Sequence, residues 1–324
     1  MEADTRKELI MKVLVTGATG AIGTQLVPQL IEAGHTVVGT TTSEARTARL
    51  REAGAEPLVL DVLDAAAVRQ AVTRVRPEVI IHEATALAGN LDLRKLDQSF
   101  ALTNRLRTEG TGNLLAAATA AGVRRVIAQS FAGVVYARTG GPVKTEEDPL
   151  DPAPVPGSEK MLAAIRQLED AVTSAPGVEG IVLRYGGFYG PGTSLGPGGE
   201  QVEMVRKRRF PLIGDGGGIW SLIHIADAAR ATVAAVERGA PGIYNIVDDE
   251  PARTSEWLPV LAQLVGAKPP MRIPRWVGSL LAGKFATALA TEARGASNEK
   301  AKRGLDWKPL PASWRDGFAD MLRG

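Results

Sequence analysis

The sequence predicts an α/β protein built on a doubly wound parallel sheet, with a smaller and mostly helical C-terminal lobe. Two observations carry this. Short, almost unbroken apolar runs alternate with amphipathic stretches from residue 12 onward, the pattern of strands covered by helices on both faces. The helices between them end on glycines, at Gly34, Gly54 and Gly122, as left-handed C-caps require.

The elements follow in order. Lys12–Thr16 is the first strand and about 21–33 an amphipathic helix. His35–Gly39 is the second strand, Ser43–Ala53 a helix, Pro57–Leu60 a third strand and Asp64–Val75 a helix. Val79–Ile81 is a fourth strand, and a long helical region covers about 93–121. Val126–Gln129 leads to Ser130. Five prolines between 142 and 156 then mark a long loop, of the kind that tends to be functional. A helix over 158–175 and a strand over 180–185 follow, and Ile243–Val247 is a further sheet strand. The domain division expected is a short extension over 1–10, a nucleotide-binding unit of 11–185 with 219–247, and a substrate lobe of 186–218 with 248–324. In open α/β sheets ligands bind in the crevice at the strands' carboxyl ends.

Composition narrows the function classes. The chain of 324 residues is 44% hydrophobic and 23% charged, with net charge +2, so it makes no electrostatic case for nucleic acid or an anionic membrane. It has no cysteine and three scattered histidines, which argues against a thiolate nucleophile, a disulfide framework and a metal site. No apolar stretch is long enough to span a bilayer, and the charged first ten residues do not read as a signal peptide. A cytoplasmic location is expected.

Between the first strand and helix lies Thr16-Gly17-Ala18-Thr19-Gly20-Ala21-Ile22-Gly23. Gly17 allows the tight turn, Gly20 removes a Cβ that would block a pyrophosphate, and Gly23 lets the helix pack on the strand. The helix N-terminus, at Ala21 and Ile22, offers free N–H groups to phosphate. This is a dinucleotide-binding turn.

The same segment resembles the cofactor loop of the extended short-chain dehydrogenase/reductase superfamily, which includes NAD-dependent epimerases and dehydratases. Other segments resemble it in order: Asp61-Val62, His82-Glu83-Ala84-Thr85-Ala86, Ser130 before Val134–Ala137, Leu183-Arg184 with Tyr189-Gly190-Pro191-Gly192, His224–Asp227 and Asn298–Pro309. The resemblance implies a Rossmann-type nucleotide domain and a small-molecule substrate. It also implies a homodimer paired through the helices near 95–121 and 158–175. Asp61 and Val62 would meet the adenine, Ala84, Thr85 and Ala86 would line the cofactor, and Ser130 would be the active-site serine. Asp61 also suits a cap for the helix starting near Asp64. His82 and His224 read as structural histidines, Arg206–Arg209 as a solvated helix face, and Trp220, Trp257, Trp276, Trp307 and Trp314 as packing residues.

In this superfamily a tyrosine four residues before a lysine passes the proton, one helical turn away on the same face. The matching lysine is Lys160, sharing a face with Ala164 and Ala171 and expected to point inward; the tyrosine position holds Pro156. The asparagine usual in the R…YGPG segment is replaced by Gly186-Gly187. The one usually three before a Gly-Thr pair is here Arg107, with Asn104 one turn earlier. The catalytic set expected is therefore Ser130 and Lys160 with Tyr185 or Tyr189 as surrogate acid, Tyr136 ranking behind them. A substrate needing less proton help is the other route.

The second strand ends in Thr40-Thr41-Thr42-Ser43 without a carboxylate. Thr41, Thr42 and Arg46 suit a 2′-phosphate, which favours NADP over NAD, although the arginine usual in NADP-dependent relatives is here Thr42; Thr19 is expected among the cofactor-loop residues. The functional expectation is an NAD(P)-dependent oxidoreductase acting on a small carbonyl or imine. The alternatives are a non-catalytic NADP-binding sensor, and an epimerase or dehydratase using its nicotinamide transiently.

Overall fold

A computed structural model describes residues 10–87, 92–133 and 135–323. All but Ile10 of the N-terminal extension, and Val134, lie outside them. Seven parallel strands form one sheet: β1 (Lys12–Thr16), β2 (Thr36–Thr41), β3 (Glu56–Val59), β4 (Val79–His82), β5 (Arg125–Phe131), β6 (Glu179–Tyr185) and β7 (Gly242–Ile246). Their spatial order is β7-β6-β5-β4-β1-β2-β3, so the winding reverses between β1 and β4, where a ligand crevice is expected. The Rossmann-type fold class read from the sequence is the one observed.

Alternation along the strands explains the unbroken apolar runs. Val13, Val15, Val79, Ile81 and Ile127 enter one core layer, with α1 (Ala21–Glu32) and α6 (Ile225–Glu237). Leu14, Ile80, Val126 and Ala128 enter the other, under α3 (Ala65–Val75), α4 (Thr111–Ala121) and α5 (Glu159–Thr173). Both faces of the central strands β1, β4 and β5 are covered, so their apolar runs are nearly continuous, whereas the edge strand β3 is partly exposed. The short helix α2 (Thr47–Glu52) follows β2 after a single 3₁₀ turn over Glu44–Arg46.

The region over 93–121, expected as one helix, is broken. It runs through a 3₁₀ turn, two short helical pieces and a π turn over Leu106–Gly110 before α4. The π turn has tertiary causes: the Leu106 carbonyl faces His82 Nε2 at 3.2 Å, and Gly110 abuts the Val62 side chain.

The lobe packs Tyr189, Leu212, Leu222, Trp257, Trp314 and Phe318 into a separate core. Leu222–His224 pairs with Gly187–Tyr189, and Ile219–Trp220 with Ala252–Arg253. Ile223 and Ile225 then pack into the α1/α6 layer of the sheet. Of the tryptophans expected to pack, Trp257, Trp307 and Trp314 are buried, whereas Trp276 is 70% exposed. Arg206–Arg209 is exposed, and Arg206 pairs with Glu203 at 2.9 Å, as a solvated face does. Among the described residues no helix is long and apolar enough to cross a membrane, and no cluster of metal-ligating side chains occurs.

Candidate functional site

The glycine turn has the geometry the sequence implied. Gly17 has φ +75°, and a Cβ there would lie 2.6 Å from the Glu83 carbonyl oxygen and 2.8 Å from Ala84 Cα. A Cβ on Gly23 would lie 2.5 Å from the Gly17 oxygen, so α1 seats directly on the turn. Gly20 is the N-cap of α1 and no side chain caps the helix. Its own Cβ would meet nothing nearer than the Gly17 oxygen at 3.1 Å. The Gly20 N–H closes the turn onto the Gly17 carbonyl at 2.9 Å, and the first-turn N–H groups of Ala21, Ile22 and Gly23 are left for a ligand, which fits a dinucleotide's phosphates. Thr19 Oγ1 lies 3.4 Å from Thr41 Oγ1, joining the turn to the end of β2. Thr42 and Arg46 beyond it are exposed.

Asp61 differs from the expected cap. The N-cap of α3 is Asp64, which accepts from the Ala66 and Ala67 amides, each at 3.0 Å. Asp61 instead accepts from Leu63 N at 2.9 Å and is exposed. The four residues from Asp61 to Asp64 form a turn closed by Asp64 N donating to Asp61 O at 3.1 Å, so only Asp64 reaches the helix's free N–H groups. Val62 is buried and its carbonyl accepts from Asn113 Nδ2 at 2.9 Å. Ala84 lies beside Gly17, Thr85 is exposed, and the Ala86 amide donates to Thr103 Oγ1 at 3.1 Å.

His82 closes β4 with Thr16 Oγ1 2.8 Å from its Nδ1. Burial drives its pKa down to about 4, and the nearby Arg107 charge pushes the same way against the Leu106 carbonyl bond. It is a neutral structural ring at neutral pH. His224 is edge-on to Tyr189, with ring centroids 5.3 Å apart.

The expected catalytic residues are not brought together. Ser130 is buried and donates to Glu169 Oε1 at 2.7 Å. Tyr185 lies in the opposite layer, its hydroxyl donating to Glu83 Oε1 at 2.8 Å and lying 2.6 Å from Thr232 Oγ1. Tyr189 is sunk in the lobe core, edge-on to Phe318 at 5.1 Å. Tyr136 donates to Asn245 Oδ1 at 2.5 Å. Tyr244, the fourth tyrosine, donates to the Ala240 carbonyl at 2.8 Å. All four are buried. Burial and neighbouring carboxyls raise the pKa of Tyr185 and Tyr189 well above the usual tyrosine range, so neither ionises readily.

Lys160, expected to point inward, is exposed, while Ala164 is buried and Ala171 half-buried. The buried stripe of α5 is Met161, Leu162, Ala164, Ile165, Leu168, Glu169 and Val172, and Lys160 falls at its rim. The first turn of α5 packs through Met161 and Leu162 with Ala132 and Tyr136. Lys160 therefore stands near the chain leaving the carboxyl end of β5.

Charged residues line the sheet end, among them Glu169, for which the sequence alone suggested no role. Glu169 accepts from Arg184 Nε at 2.8 Å and Nη2 at 2.6 Å as well as from Ser130. Arg184 Nη1 continues to the Tyr136 hydroxyl at 3.2 Å. The available signal was a glutamate within the apolar stripe of α5 and an arginine within the apolar strand β6. Glu83 is buried with Oε2 unbonded, and burial pushes its carboxyl up to about 8 against the opposing Tyr185 bond. Folded Glu83 thus binds a proton that the unfolded chain releases above about pH 4.3, so its contribution to stability fades as pH rises toward 8. Glu83→Gln is expected to remove this loss. Denaturant unfolding should find the variant as stable as wild type at pH 5 and more stable at pH 8.5. Equal pH profiles would show that Glu83 is ionised in the fold.

With this geometry established, comparison with known proteins places the chain. The model of the NAD dependent epimerase/dehydratase family matches residues 13–247, and the chain belongs to that family of enzymes. It is 44% identical over 314 residues to a 3-diazoavenalumate denitrifying reductase of Streptomyces sp, covering 95% of this chain and 99% of that protein. UDP-glucose 4-epimerase of Thermus thermophilus, solved in complex with NAD, superposes with TM-score 0.72 at 26% identity, covering 97% of this chain and 99% of that one. UDP-glucose 4-epimerase of Thermotoga maritima, solved with UDP-glucose, gives 0.76 at 22% identity, covering 97% of this chain and 98% of that one.

Proposed function

We propose that the protein is an NAD(P)H-dependent reductase whose substrate is a conjugated acid carrying a diazo group that reacts as the diazonium, or a similarly strong electrophile. The observation that carries this reading is the absence of an accessible proton donor of the family's kind. Pro156 stands four residues before Lys160, and all four tyrosines are buried. The reduced nicotinamide supplies a hydride when bound. A carbonyl oxygen that gains a hydride equivalent on its carbon also needs a proton. A diazonium carbon does not: it gains the hydride, loses dinitrogen, and the exchange balances without a proton at oxygen. The similar Streptomyces enzyme acts by its name on a diazo compound and denitrifies it, which supports the assignment.

In this reading Gly17, Gly20, Ala21, Ile22 and Gly23 hold the diphosphate, and Lys160 holds the nicotinamide ribose. Thr41, Thr42 and Arg46 take a 2′-phosphate, favouring NADP. Ser130 is a positioning residue through Glu169, and Tyr185 and Tyr189 are structural rather than surrogate acids. A groove between α4 and α5, lined by Leu115, Ala116, Thr119, Ala120, Ala171 and Ala175, suits a homodimer.

The test follows NADPH absorbance and dinitrogen release with 4-carboxybenzenediazonium, with simple ketones, imines and nucleotide sugars as comparison substrates. Expected are stoichiometric NADPH oxidation and dinitrogen release above the enzyme-free rate, and tighter binding of NADPH than of NADH. Tyr185→Phe should keep kcat within about threefold, while losing roughly 1–2 kcal/mol of stability with its buried hydrogen bond. Oxidation with ketones alone, abolished in Tyr185→Phe, would restore the surrogate-acid reading. Tight NADPH binding without turnover of any substrate would indicate a sensor.

A further inference from the structure

Arg107 is a buried cation without a hydrogen-bonded partner among the described residues. It is 5% exposed, and its Nε and Nη1 are closed off from solvent without a hydrogen bond. Its guanidinium carbon lies 5.9 Å from the centre of the Phe100 ring. Glu169 acts on it only through its field, its oxygens being engaged by Arg184 and Ser130. Buried His82 beside it is neutral at neutral pH. Two guanidiniums thus share one carboxylate, leaving one uncompensated positive charge in the interior. Such a charge costs several kcal/mol unless something neutralises it.

Its place says where the neutralising group comes from. Arg107 sits on the π turn that the Leu106 carbonyl ties to His82, and His82 in turn bonds Thr16 at the end of β1. That is the carboxyl edge of the sheet beside the β1/β4 reversal, where ligands enter. π turns inside helices recur at functional sites. The glycine cradle for phosphates opens at Gly20 on α1, which belongs to the other core layer, so the diphosphate has its own donors.

We infer that Arg107 is the substrate's anion receptor: it binds a carboxylate of a conjugated acid, with the Phe100 ring alongside it. This rests on the diazo-acid reading and deepens it, and the compound in the similar enzyme's name carries the ending of an acid anion. A guanidinium matches a carboxylate bidentately, which a lysine cannot do.

The experiment needs no diazo chemistry. Cinnamate and methyl cinnamate are titrated by calorimetry into the NADP⁺-loaded protein and into Arg107→Met and Arg107→Lys. Wild type is expected to bind the acid at least tenfold tighter than the ester. Arg107→Met should lose that preference with NADP⁺ affinity unchanged, and Arg107→Lys should keep part of it. Without ligand, Arg107→Met should raise Tm, because a buried unpaired charge has been replaced by an apolar chain. Equal binding of acid and ester by wild type, or an intact preference in Arg107→Met, would overturn the assignment. Loss of NADP⁺ binding in Arg107→Met would overturn it too, by giving the arginine to the cofactor. The diazonium assay stands or falls independently of these outcomes.

Discussion

Gly17→Ala is expected to abolish measurable NADPH binding and to lower Tm, whereas Gly20→Ala weakens binding without lowering Tm. The difference follows from what each methyl would meet. At Gly17 the backbone is left-handed, costing an L-residue about 1–2 kcal/mol. The new Cβ would also lie 2.6 Å from the Glu83 carbonyl oxygen, against backbone that cannot swing aside. The turn must open, and the register of α1 on β1 goes with it. At Gly20 φ is −78°, which any residue adopts, and the Cβ would be 3.1 Å from one oxygen. That methyl stands over the first-turn N–H groups, so it obstructs a phosphate and little else. Calorimetry with NADPH and thermal unfolding of both variants separate the effects. We expect at least tenfold weaker binding for Gly20→Ala, and unchanged affinity would move the diphosphate away from the α1 N-terminus.

The glycine turn was legible in the sequence because its constraint is local: three glycines, one strand and one helix within a dozen residues. The order of strands and helices was legible for a related reason, since both faces of the central strands are buried and the apolar runs show it. Tyr185 shows what such a reading leaves out. It ends a strand near the crevice, which suggested a surrogate acid. Strand parity puts it with Ile181 and Leu183 on the α1/α6 face, beneath the cofactor turn rather than open to it. That signal was present and outweighed by proximity in sequence. Lys160 misled through helical period, because Ala164 marks the edge of the buried stripe as well as its centre. The break at Leu106–Gly110 was not legible at all. Its causes, His82 and Val62, lie 24 and 48 residues upstream of Leu106 and Gly110, and no local pattern reports them. The same holds for Arg107, whose lack of a partner is a property of the packed interior.

Glu169→Leu is expected to be the most destabilising of these substitutions, by about 3–5 kcal/mol in denaturant unfolding. Arg184 and Glu169 are each 3% exposed and bonded through two nitrogens to two oxygens. Removing the carboxylate leaves Arg184 buried without its counter-charge and strips the Ser130 hydroxyl of its acceptor. It also withdraws the one negative field acting on Arg107. The double variant Glu169→Leu/Arg184→Met should recover most of the loss, because an apolar pair of similar volume needs no compensation. The recovery should be incomplete, because Ser130 remains unbonded and Arg107 has lost the attraction that partly offset its burial. Adding Arg107→Met to the double variant is then expected to raise stability further, and by more than Arg107→Met does in wild type. A triple variant no more stable than the double would show that Glu169 supports only Arg184, and that Arg107 is already at ease in the free protein.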